Sequence, residues 1–283
     1  MELKSQDKTT VNNKETVKSN DSNPAIGLEE ERLKHISGVE DFDMFHERHR
    51  IFPALFEDRN HKKVIDVSAG IGAAANRVNK YYNADLICNE LAPKCLDSLQ
   101  KLGLKTMSFD LDDNSKPYPF KDGEFDAIIS LATIEHLYNI DNFFNETKRI
   151  LKDDGYIYIS VPNYNGLNYL IPLLFKGKTF HDPLNAIESY EFYGHLRYFT
   201  HISLIKYITS FGFTAEAAYL GKPKMGTRYL RFKSKHKIGA AIYKALILTL
   251  YYVFSPRWSP EPVICFKKSK NPKLVLKPRK KIL

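Results

Sequence analysis

Cysteine is scarce in this chain of 283 residues. Cys88, Cys95 and Cys265 are its only three, and neither their number nor their spacing fits a metal-binding motif or a disulfide framework. The amino-terminal residues include no apolar segment of the kind that forms a secretory signal. We therefore expect the protein to work in the cytoplasm.

Acidic residues are almost missing from the last fifth of the chain. From Lys222 onwards there are seventeen Lys or Arg residues and one acid, Glu261, which gives a local charge of +16. The whole chain carries only +9, so the residues before Lys222 are net acidic. This asymmetry indicates an anionic partner for the last fifth, either a membrane surface or a nucleic acid.

Aromatic residues are missing from residues 1–24, which are rich in Lys, Asn, Asp, Ser and Thr. A segment of this composition buries too little apolar surface to fold, so it is predicted to be a disordered tail. Apolar residues at helical spacing return over 25–62, including Phe42 and Phe45. We interpret this second range as a helical cap in front of the core.

One stretch joins a buried strand to a turn of small residues. The strand Val64–Val67 is apolar except for Asp66, and Gly70 and Gly72 follow before a helix begins at Ala73. A strand, a tight turn and a helix N-terminus in this order hold nucleotide-like ligands in doubly wound α/β folds. The glycines allow the backbone to approach such a ligand closely.

Strands and helices alternate over residues 63–268. The apolar runs predict seven strands, at 63–67, 85–89, 105–109, 125–131, 156–161, 213–220 and 262–268. Helices are predicted after the first, second and fourth of them, at 73–82, 93–102 and 140–151. Such alternation implies parallel strands joined by right-handed crossovers.

Three acidic residues follow three successive strands. Asp66, Glu90 and Asp110 lie at or just after the predicted strand ends, which meet at one edge of a parallel sheet. A carboxylate accepts two hydrogen bonds in the geometry of a vicinal diol, so Glu90 suits a ribose. Asp110 suits an exocyclic amine such as that of adenine. The three acids together predict a site for a nucleoside-containing ligand.

These motifs resemble those of the class I S-adenosylmethionine-dependent methyltransferases. The matching segments are VIDVSAGIG (64–72), Glu90, SFDLDD (108–113), FDAIISLATIEHL (125–137) and KRILKDDGYIYISVPN (148–163). The resemblance implies S-adenosylmethionine as the cofactor, with its methionine part near Asp66 and the glycines, its ribose at Glu90 and its adenine at Asp110. The residues implied to bind or cover it are Asp66, Ser68, Ala69, Gly70, Gly72, Glu90, Leu91, Asp110, Leu111, Leu131 and Glu135.

With this resemblance the predicted fold class is α/β, a Rossmann-like doubly wound seven-stranded sheet with an antiparallel last strand. The methyltransferase domain spans 63–268, with an insertion after the fifth strand and an apolar helix between the sixth and seventh. Ser68 departs from the family pattern, which usually has glycine there; a serine fits at negative φ.

A nicotinamide-dependent dehydrogenase is an alternative interpretation of the same turn. Ala75 stands where the third glycine of a dinucleotide-binding motif falls, and alanine is permitted at that position. Asp66, Asp110 and the pair Glu135-His136 favour the methyltransferase.

The aromatic-rich residues 163–199 form the insertion, which we interpret as a substrate lid, with an extension of the core as the alternative. The segment GHLRYFT (194–200) is similar to the substrate side of saccharide-pathway methyltransferases. Methyl transfer to oxygen needs a base near the attacking hydroxyl, and His195 and His136 are the catalytic candidates. The histidines show no metal-ligand spacing, so no metal is expected.

A long apolar run, 238–254, is interrupted by a single charge, Lys244. As a helix it would measure about 25 Å, somewhat short for a bilayer span. Basic and aromatic residues flank it, which is typical of a helix that lies in a membrane interface, although a core or dimer helix is an alternative. Residues 269–283 are predicted to be a basic tail that adds attraction to anionic lipid.

The sequence thus predicts a methyltransferase that acts on a hydroxyl of a small-molecule or lipid-linked saccharide acceptor. It would be cytoplasmic and peripheral on the cytoplasmic membrane face. The alternative is a basic RNA-binding or regulatory protein that keeps the fold with little or no activity. Nucleic acid has less support, because the chain has no Asn-Pro-Pro-Tyr-type motif of base-modifying methyltransferases.

Overall fold

The computed structural model describes residues 24–41, 47–52, 54–57, 59–178, 181–184, 188–223, 225 and 227–283. The predicted disordered tail, up to residue 23, and Phe42 and Phe45 of the predicted cap lie outside these ranges. The described helices are α1 Pro24–Arg32, α2 Glu47–Ile51, α3 Ala73–Tyr81, α4 Pro93–Lys101, α5 Ile140–Ile150, α6 Leu167–Lys176, α7 Glu188–Gly194, α8 His201–Ser210, α9 Thr227–Lys235 and α10 Lys237–Phe254. Short 3-10 turns at Val39–Asp41 and Ala54–Phe56 complete the cap.

One mixed sheet forms the centre of the protein. Its strands are β1 Lys63–Asp66, β2 Asp85–Asn89, β3 Lys105–Met107, β4 Phe125–Leu131, β5 Leu151–Ser160, β6 Phe213–Leu220, β7 Val263–Lys268 and β8 Arg279–Ile282. Their order across the sheet is β3-β2-β1-β4-β5-β7-β6-β8. The first five strands pair in parallel, and β7 runs antiparallel between β5 and β6. This confirms the predicted Rossmann-like fold and its antiparallel seventh strand.

The predicted count of seven strands is corrected to eight within the ranges that the structure describes. The extra strand, β8, lies in the range predicted as a basic tail and pairs in parallel with β6, with Arg279 opposite Ala217. The sequence did not predict β8 because its residues are mostly charged. At the edge of a sheet, a strand can keep such side chains in water. Arg279 and Lys281 also form ion pairs with Glu57, at 2.7 and 3.3 Å.

The fifth strand begins at Leu151 instead of residue 156. Leu151 pairs with Phe125 of β4, and after an irregularity Tyr156 pairs with Ala127. Residues 153–155, two acids and a glycine, are typical of a turn before a strand. In the structure they form a bulge within the strand instead. The predicted ends of the first and third strands are corrected by one and two residues, to Asp66 and Met107.

Both faces of the sheet are buried. Val64 and Ile65 are neighbours on β1 and are inaccessible to solvent, yet they belong to separate clusters because side chains alternate across a strand. Helix α5 packs Phe143 and Phe144 against one face, whereas Val78 of α3 packs against the other. Burial on both faces explains why the strand sequences are apolar at successive positions instead of alternating with polar residues. Because β1, β2 and β4 run in parallel, their carboxyl ends meet at one rim.

The helix α10 lies largely outside the core. In the described part of the chain it is the one helix long and apolar enough to cross a membrane, by length and composition only, and 6% of it is buried. Ala240 is buried, whereas Ile238 and Ile242 are 81% and 66% exposed. Its carboxyl end is fixed by Tyr251, whose hydroxyl donates to the Gly221 carbonyl. The alternative of a core helix is therefore wrong.

Candidate active site

The turn after β1 is formed by small residues and tied to the next strands. The amide of Val67 donates to the Ile129 carbonyl, and that of Ala69 donates to the Asn89 carbonyl. The hydroxyls of Ser68 and Thr133 are hydrogen-bonded to each other. Neither Ser68 nor Ala69 is among the described residues with positive φ. The serine that replaces the usual glycine is therefore accommodated without backbone strain.

Two glycines carry the positive φ of this turn, 54° at Gly70 and 94° at Gly72. A Cβ on Gly72 would lie 2.8 Å from Leu102 Cδ1 and 3.0 Å from Leu99 Cδ2, whereas one on Gly70 would meet nothing within 4 Å. Gly72 is thus required by the packing of α4 against the turn. Gly70 leaves open space at the rim.

Glu90 follows β2 and points back at the same turn. One carboxylate oxygen accepts the Gly70 N–H at 2.8 Å, and the other accepts the Leu91 N–H at 2.8 Å. Burial raises the pKa of Glu90, and the nearby carboxylate of Glu29 on α1 adds to the effect. The two backbone bonds fix the orientation of the carboxylate and leave further lone pairs for a ligand.

Asp66, the last residue of β1, is 2% exposed. Burial raises its pKa to about 7, and the charge of Glu90 contributes in the same direction. Its Oδ1 has no hydrogen-bond partner among the described residues. A buried carboxylate in this condition favours a cationic or hydrogen-bond-donating ligand.

Asn89 clamps the ends of three strands, a role that the sequence did not reveal. Its side-chain amide donates to the carbonyls of Val67 and Phe109, at 3.0 and 3.1 Å, and its oxygen accepts the Phe109 N–H at 2.9 Å. Beyond this clamp, Asp110 accepts the Asp112 N–H at 2.9 Å. The only sequence signal was a polar residue that ends the apolar strand β2.

Two leucines of the predicted cofactor set line the same rim. Leu111 is 7% exposed, and its carbonyl accepts the Tyr118 hydroxyl at 2.8 Å. Leu131 ends β4 and is 8% exposed, and the next residue, Ala132, turns the chain with a φ of 52°. The rim thus carries apolar walls between its acidic groups.

Glu135 lies just beyond β4 and is inaccessible to solvent. Neither of its carboxylate oxygens has a hydrogen-bond partner in the described part of the chain. Burial raises its pKa to about 8, against the attraction of Arg48. Arg48 itself is paired with Glu261 at 2.7 Å, and both side chains are largely buried.

The two predicted catalytic histidines are in contact, although they are far apart in the chain. The rings of His136 and His195 lie 4.7 Å apart in an edge-to-face arrangement. The Nδ1 atom of His136 is 2.9 Å from the Gly194 carbonyl. Burial lowers the pKa of His136, and it lowers that of His195 to about 3. Both imidazoles are therefore neutral at physiological pH.

A chain of hydrogen bonds lies behind His195. Its Nδ1 is 2.8 Å from the Tyr164 hydroxyl, which is 2.8 Å from His181 Nε2, and His181 Nδ1 is 2.9 Å from a Glu191 carboxylate oxygen. Sequence analysis did not identify Glu191, because no spacing rule links it to His195. Tyr164 and His181 belong to the insertion that was predicted as a lid.

Glu135, His136 and His195 together have the donor atoms of a metal site. Each offers one atom, and these atoms lie within 4.8 Å of one another. The expectation of no metal rested on spacing along the chain, and His195 is remote from the other two in sequence. Only the fold places the three together.

Helix α1 lies near both halves of this site. The negative charge of Glu29 opposes ionisation of Glu90 and favours protonation of His136. Glu29 also forms an ion pair with Arg32, and α1 packs against α7, which ends at Gly194. Two open surface clefts of about 700 and 510 Å³ lie elsewhere, around Lys148, and contain none of the predicted site residues.

Comparisons with known proteins agree with this geometry. A malonyl-[acyl-carrier protein] O-methyltransferase from Geobacter sulfurreducens is 33% identical over 109 residues, which is 38% of this chain and 41% of the relative. A norajmaline N-methyltransferase from Rauvolfia serpentina is 30% identical over 106 residues, 35% of this chain and 36% of the relative. The chain thus spans about two fifths of the length of these curated relatives.

The fold is shared with solved structures. A methyltransferase solved in complex with the Trm112 activator of Haloferax volcanii superposes with a TM-score of 0.57 at 12% identity, over 86% of this chain and 97% of that one. The family model described as a methyltransferase domain matches residues 40–218, more than half of the chain. The chain therefore belongs to the class I S-adenosylmethionine-dependent methyltransferases.

Proposed function

We propose that the protein transfers the methyl group of S-adenosylmethionine to a hydroxyl oxygen of a small-molecule or lipid-linked saccharide acceptor. The observation that carries this proposal is the contact between His136 and His195 at the rim that also carries Asp66 and Glu90. It places imidazoles beside a cofactor-type crevice, where an acceptor oxygen would need them.

The cofactor side follows from the contacts of the rim. Asp66 and the turn Ser68–Gly72 would hold the methionine part, because a buried acid with an unpartnered oxygen suits the ammonium and sulfonium charges. Glu90, oriented by two backbone N–H groups, would accept the ribose hydroxyls. Leu91, Asp110 and Leu111 would surround the adenine, with Leu131 and Glu135 closing the other side.

The transfer itself is a displacement at the methyl carbon. The acceptor oxygen forms the new O–C bond, the C–S bond breaks, and its electron pair stays on the sulfur of S-adenosylhomocysteine. The hydroxyl proton must leave as the bond forms. His136 can take this proton as a base, and His195, a weaker base because burial lowers its pKa to about 3, can assist it; alternatively, the two imidazoles can hold a cation that lowers the pKa of the hydroxyl.

The acceptor class rests on the insertion. The buried ring of Tyr164 supports two more accessible rings, those of Tyr169 at 4.8 Å and Tyr198 at 4.9 Å, which are flat apolar surfaces of the kind that sugars and hydrophobic ligands contact. Leu174 and Phe175, further along the helix α6 that carries Tyr169, are 78% and 77% exposed. Exposed apolar side chains on this helix of the insertion favour an acceptor with a lipid part.

The test uses S-adenosylmethionine with a labelled methyl group and two fractions of the source cells, an organic lipid extract and a deproteinised aqueous extract. Label should enter one of these fractions and be lost with His195→Ala, while calorimetric S-adenosylmethionine affinity stays near that of the wild type. Phe192→Ala, an exposed position of the same insertion, serves as a control that keeps the imidazoles. Label found only in RNA would contradict the proposal. A His195→Ala protein whose S-adenosylmethionine affinity falls as much as its methyl transfer would contradict it too.

We also propose that the enzyme works at the cytoplasmic face of an anionic membrane. Exposed Lys233, Lys235 and Lys237 surround the start of the exposed apolar helix α10. An apolar helix and a basic cluster acting together give stable attachment, whereas each alone binds weakly. We expect a smaller contribution from the carboxyl-terminal basic residues, because Lys267 and Arg279 already pair with Asp154 and Glu57.

Cosedimentation with vesicles tests this attachment. Binding to anionic vesicles should weaken in high salt and remain measurable, since the apolar face is insensitive to screening. Replacing Ile238 and Ile242 by Ser should leave only a salt-sensitive fraction, whereas charge reversal at Lys233 and Lys235 should leave only the apolar fraction. Equal binding to neutral and anionic vesicles would contradict the electrostatic contribution to membrane attachment. Binding of RNA without binding of lipid would contradict the membrane proposal and indicate a nucleic acid as the anionic partner.

A further inference from the structure

We propose that Glu135, His136 and His195 bind one divalent first-row transition-metal ion at the acceptor side of the crevice. The inference deepens the proposed function, because the two imidazoles would then act on the acceptor hydroxyl through the ion instead of as bases. Only the catalytic role of the ion depends on the proposed function; metal binding itself does not.

The donor set is the first reason. One carboxylate oxygen and two imidazole nitrogens suit Zn²⁺, Fe²⁺, Co²⁺ and Mn²⁺, and three protein ligands leave open positions for an acceptor oxygen. The three atoms lie within 4.8 Å of one another. Ligands at 2.0–2.2 Å from one tetrahedral ion lie about 3.3–3.6 Å apart, so the side chains need to rotate and approach one another by roughly 1 Å to complete the site.

The condition of Glu135 is the second, independent reason. Its side chain is inaccessible to solvent, and neither oxygen has a hydrogen-bond partner among the described residues. A buried carboxylate without a partner destabilises the fold unless a ligand satisfies it. A cation held between Glu135 and the two histidines would do so.

The outer hydrogen bonds are the third reason. A carbonyl only accepts, so His136 Nδ1 must donate to the Gly194 carbonyl, and Nε2 keeps its lone pair. Metal-bound histidines usually donate their other ring N–H in this way, to a carbonyl or to a carboxylate chain.

His195 has outer support of the same kind. Its Nδ1 lies 2.8 Å from the Tyr164 hydroxyl, which lies 2.8 Å from His181 Nε2, and His181 Nδ1 lies 2.9 Å from a Glu191 carboxylate oxygen. A hydrogen bond at Nδ1 leaves Nε2 as the nitrogen that would bind the ion. A chain that ends on a carboxylate is typical of the partners that orient metal-bound histidines.

The experiment uses the full chain, stripped of metal with a chelator and titrated with Co²⁺, followed by its visible absorption and by displacement with Zn²⁺. We expect one ion per chain and a rise in Tm on loading, since a ligand that binds only the folded state stabilises it. Tyr164→Phe keeps all three ligands and should weaken binding about 10–100-fold, as loss of an outer partner does.

Glu135→Gln and His195→Ala remove ligands and should weaken binding more than Tyr164→Phe does. His236→Ala, an exposed histidine at the start of α10, is the matched control and should change nothing. S-adenosylmethionine affinity, measured on Tyr164→Phe and His195→Ala, should stay near the wild-type value, which separates this site from the cofactor site. No Co²⁺ binding by the wild type, or equal binding by Glu135→Gln, His195→Ala and the wild type, would overturn the proposal.

Discussion

Replacing Glu90 by Gln should weaken S-adenosylmethionine binding far more than it destabilises the protein. The two carboxylate oxygens each accept one backbone N–H, from Gly70 and from Leu91, both at 2.8 Å. A side-chain amide has one acceptor oxygen, so in either orientation its NH₂ group faces one of these donors. The substitution therefore disturbs the turn and removes the charge at once.

The two effects differ in size. A backbone N–H left without its acceptor costs about 1–3 kcal/mol. Removal of the charge offsets part of this, because Glu29 and Glu90 repel each other and Glu90 raises the pKa of Asp66. We expect the free energy of unfolding to fall by about 1 kcal/mol. Charge-assisted bonds to the ribose contribute about 1.5–3 kcal/mol, so the Kd should rise roughly 10–150-fold.

Calorimetry with S-adenosylmethionine and urea denaturation of the free protein measure the two quantities separately. Glu146→Gln is the control, because Glu146 on α5 also accepts a backbone N–H, from Tyr118 at 2.6 Å, without belonging to the crevice. Its carboxylate also pairs with Arg149 at 2.7 Å, so this variant should lose at least as much stability and keep its affinity. A Glu90→Gln protein whose Kd stays within about twofold of the wild type would refute the ribose assignment.

Three further outcomes follow from the structure. Gly72→Ala should lower the free energy of unfolding by about 2–4 kcal/mol, from positive φ and overlap with Leu102, whereas Gly70→Ala should lose only about 1 kcal/mol in urea denaturation. His201→Leu removes a buried imidazole without partners among the described residues, so Tm at pH 7 should stay or rise. Because burial lowers the pKa of His201 to about 4, below the unfolded value, the wild type loses stability as pH falls from about 6.5 to 4, and this variant should lose about 3 kcal/mol less. Asp66, with a pKa of about 7, favours a cation when ionised, so calorimetric S-adenosylmethionine affinity should rise up to about tenfold from pH 6 to 8, and Asp66→Asn should flatten the rise.

Each outcome can be contradicted. Equal losses in the two glycine variants would mean that contact with Leu102 adds nothing to the strain. An acid-induced loss of stability that is the same in His201→Leu and the wild type would mean that this imidazole does not titrate with unfolding. A flat affinity profile in the wild type would remove the electrostatic role of Asp66.

The sheet was predictable where strands are buried on both faces. The runs at 85–89, 125–131 and 213–220 matched the structure residue for residue, because short, mostly apolar runs between helices are typical of buried strands in an alternating α/β chain. The strand β8 was not, since Arg279–Ile282 is mostly charged and pairs only at the sheet edge. Its position depends on β6 and on Glu57, both remote in sequence.

The cofactor side of the site was accessible to sequence analysis, whereas the acceptor side was accessible only in part. Asp66, Glu90 and Asp110 follow successive parallel strands, so the fold class alone brings them to one rim. His136 and His195 meet because the segment after α7 packs over the end of β4, with Leu196 donating to the Glu135 carbonyl at 2.8 Å. No periodicity encodes that contact, and metal-ligand spacing rules detect only ligands that share a local motif.

Buried acids are common to the cofactor side and the acceptor side of the rim. Asp66, Glu90 and Glu135 all have pKa values raised by burial, and the nearby cation Arg48 is already paired with Glu261. A fold that buries carboxylates with so little compensation is stabilised by cationic ligands. S-adenosylmethionine supplies a sulfonium and an ammonium on one side, and a metal ion would supply its charge on the other. Methyl transfer removes the sulfonium charge, so the same acids that favour the cofactor favour release of the product.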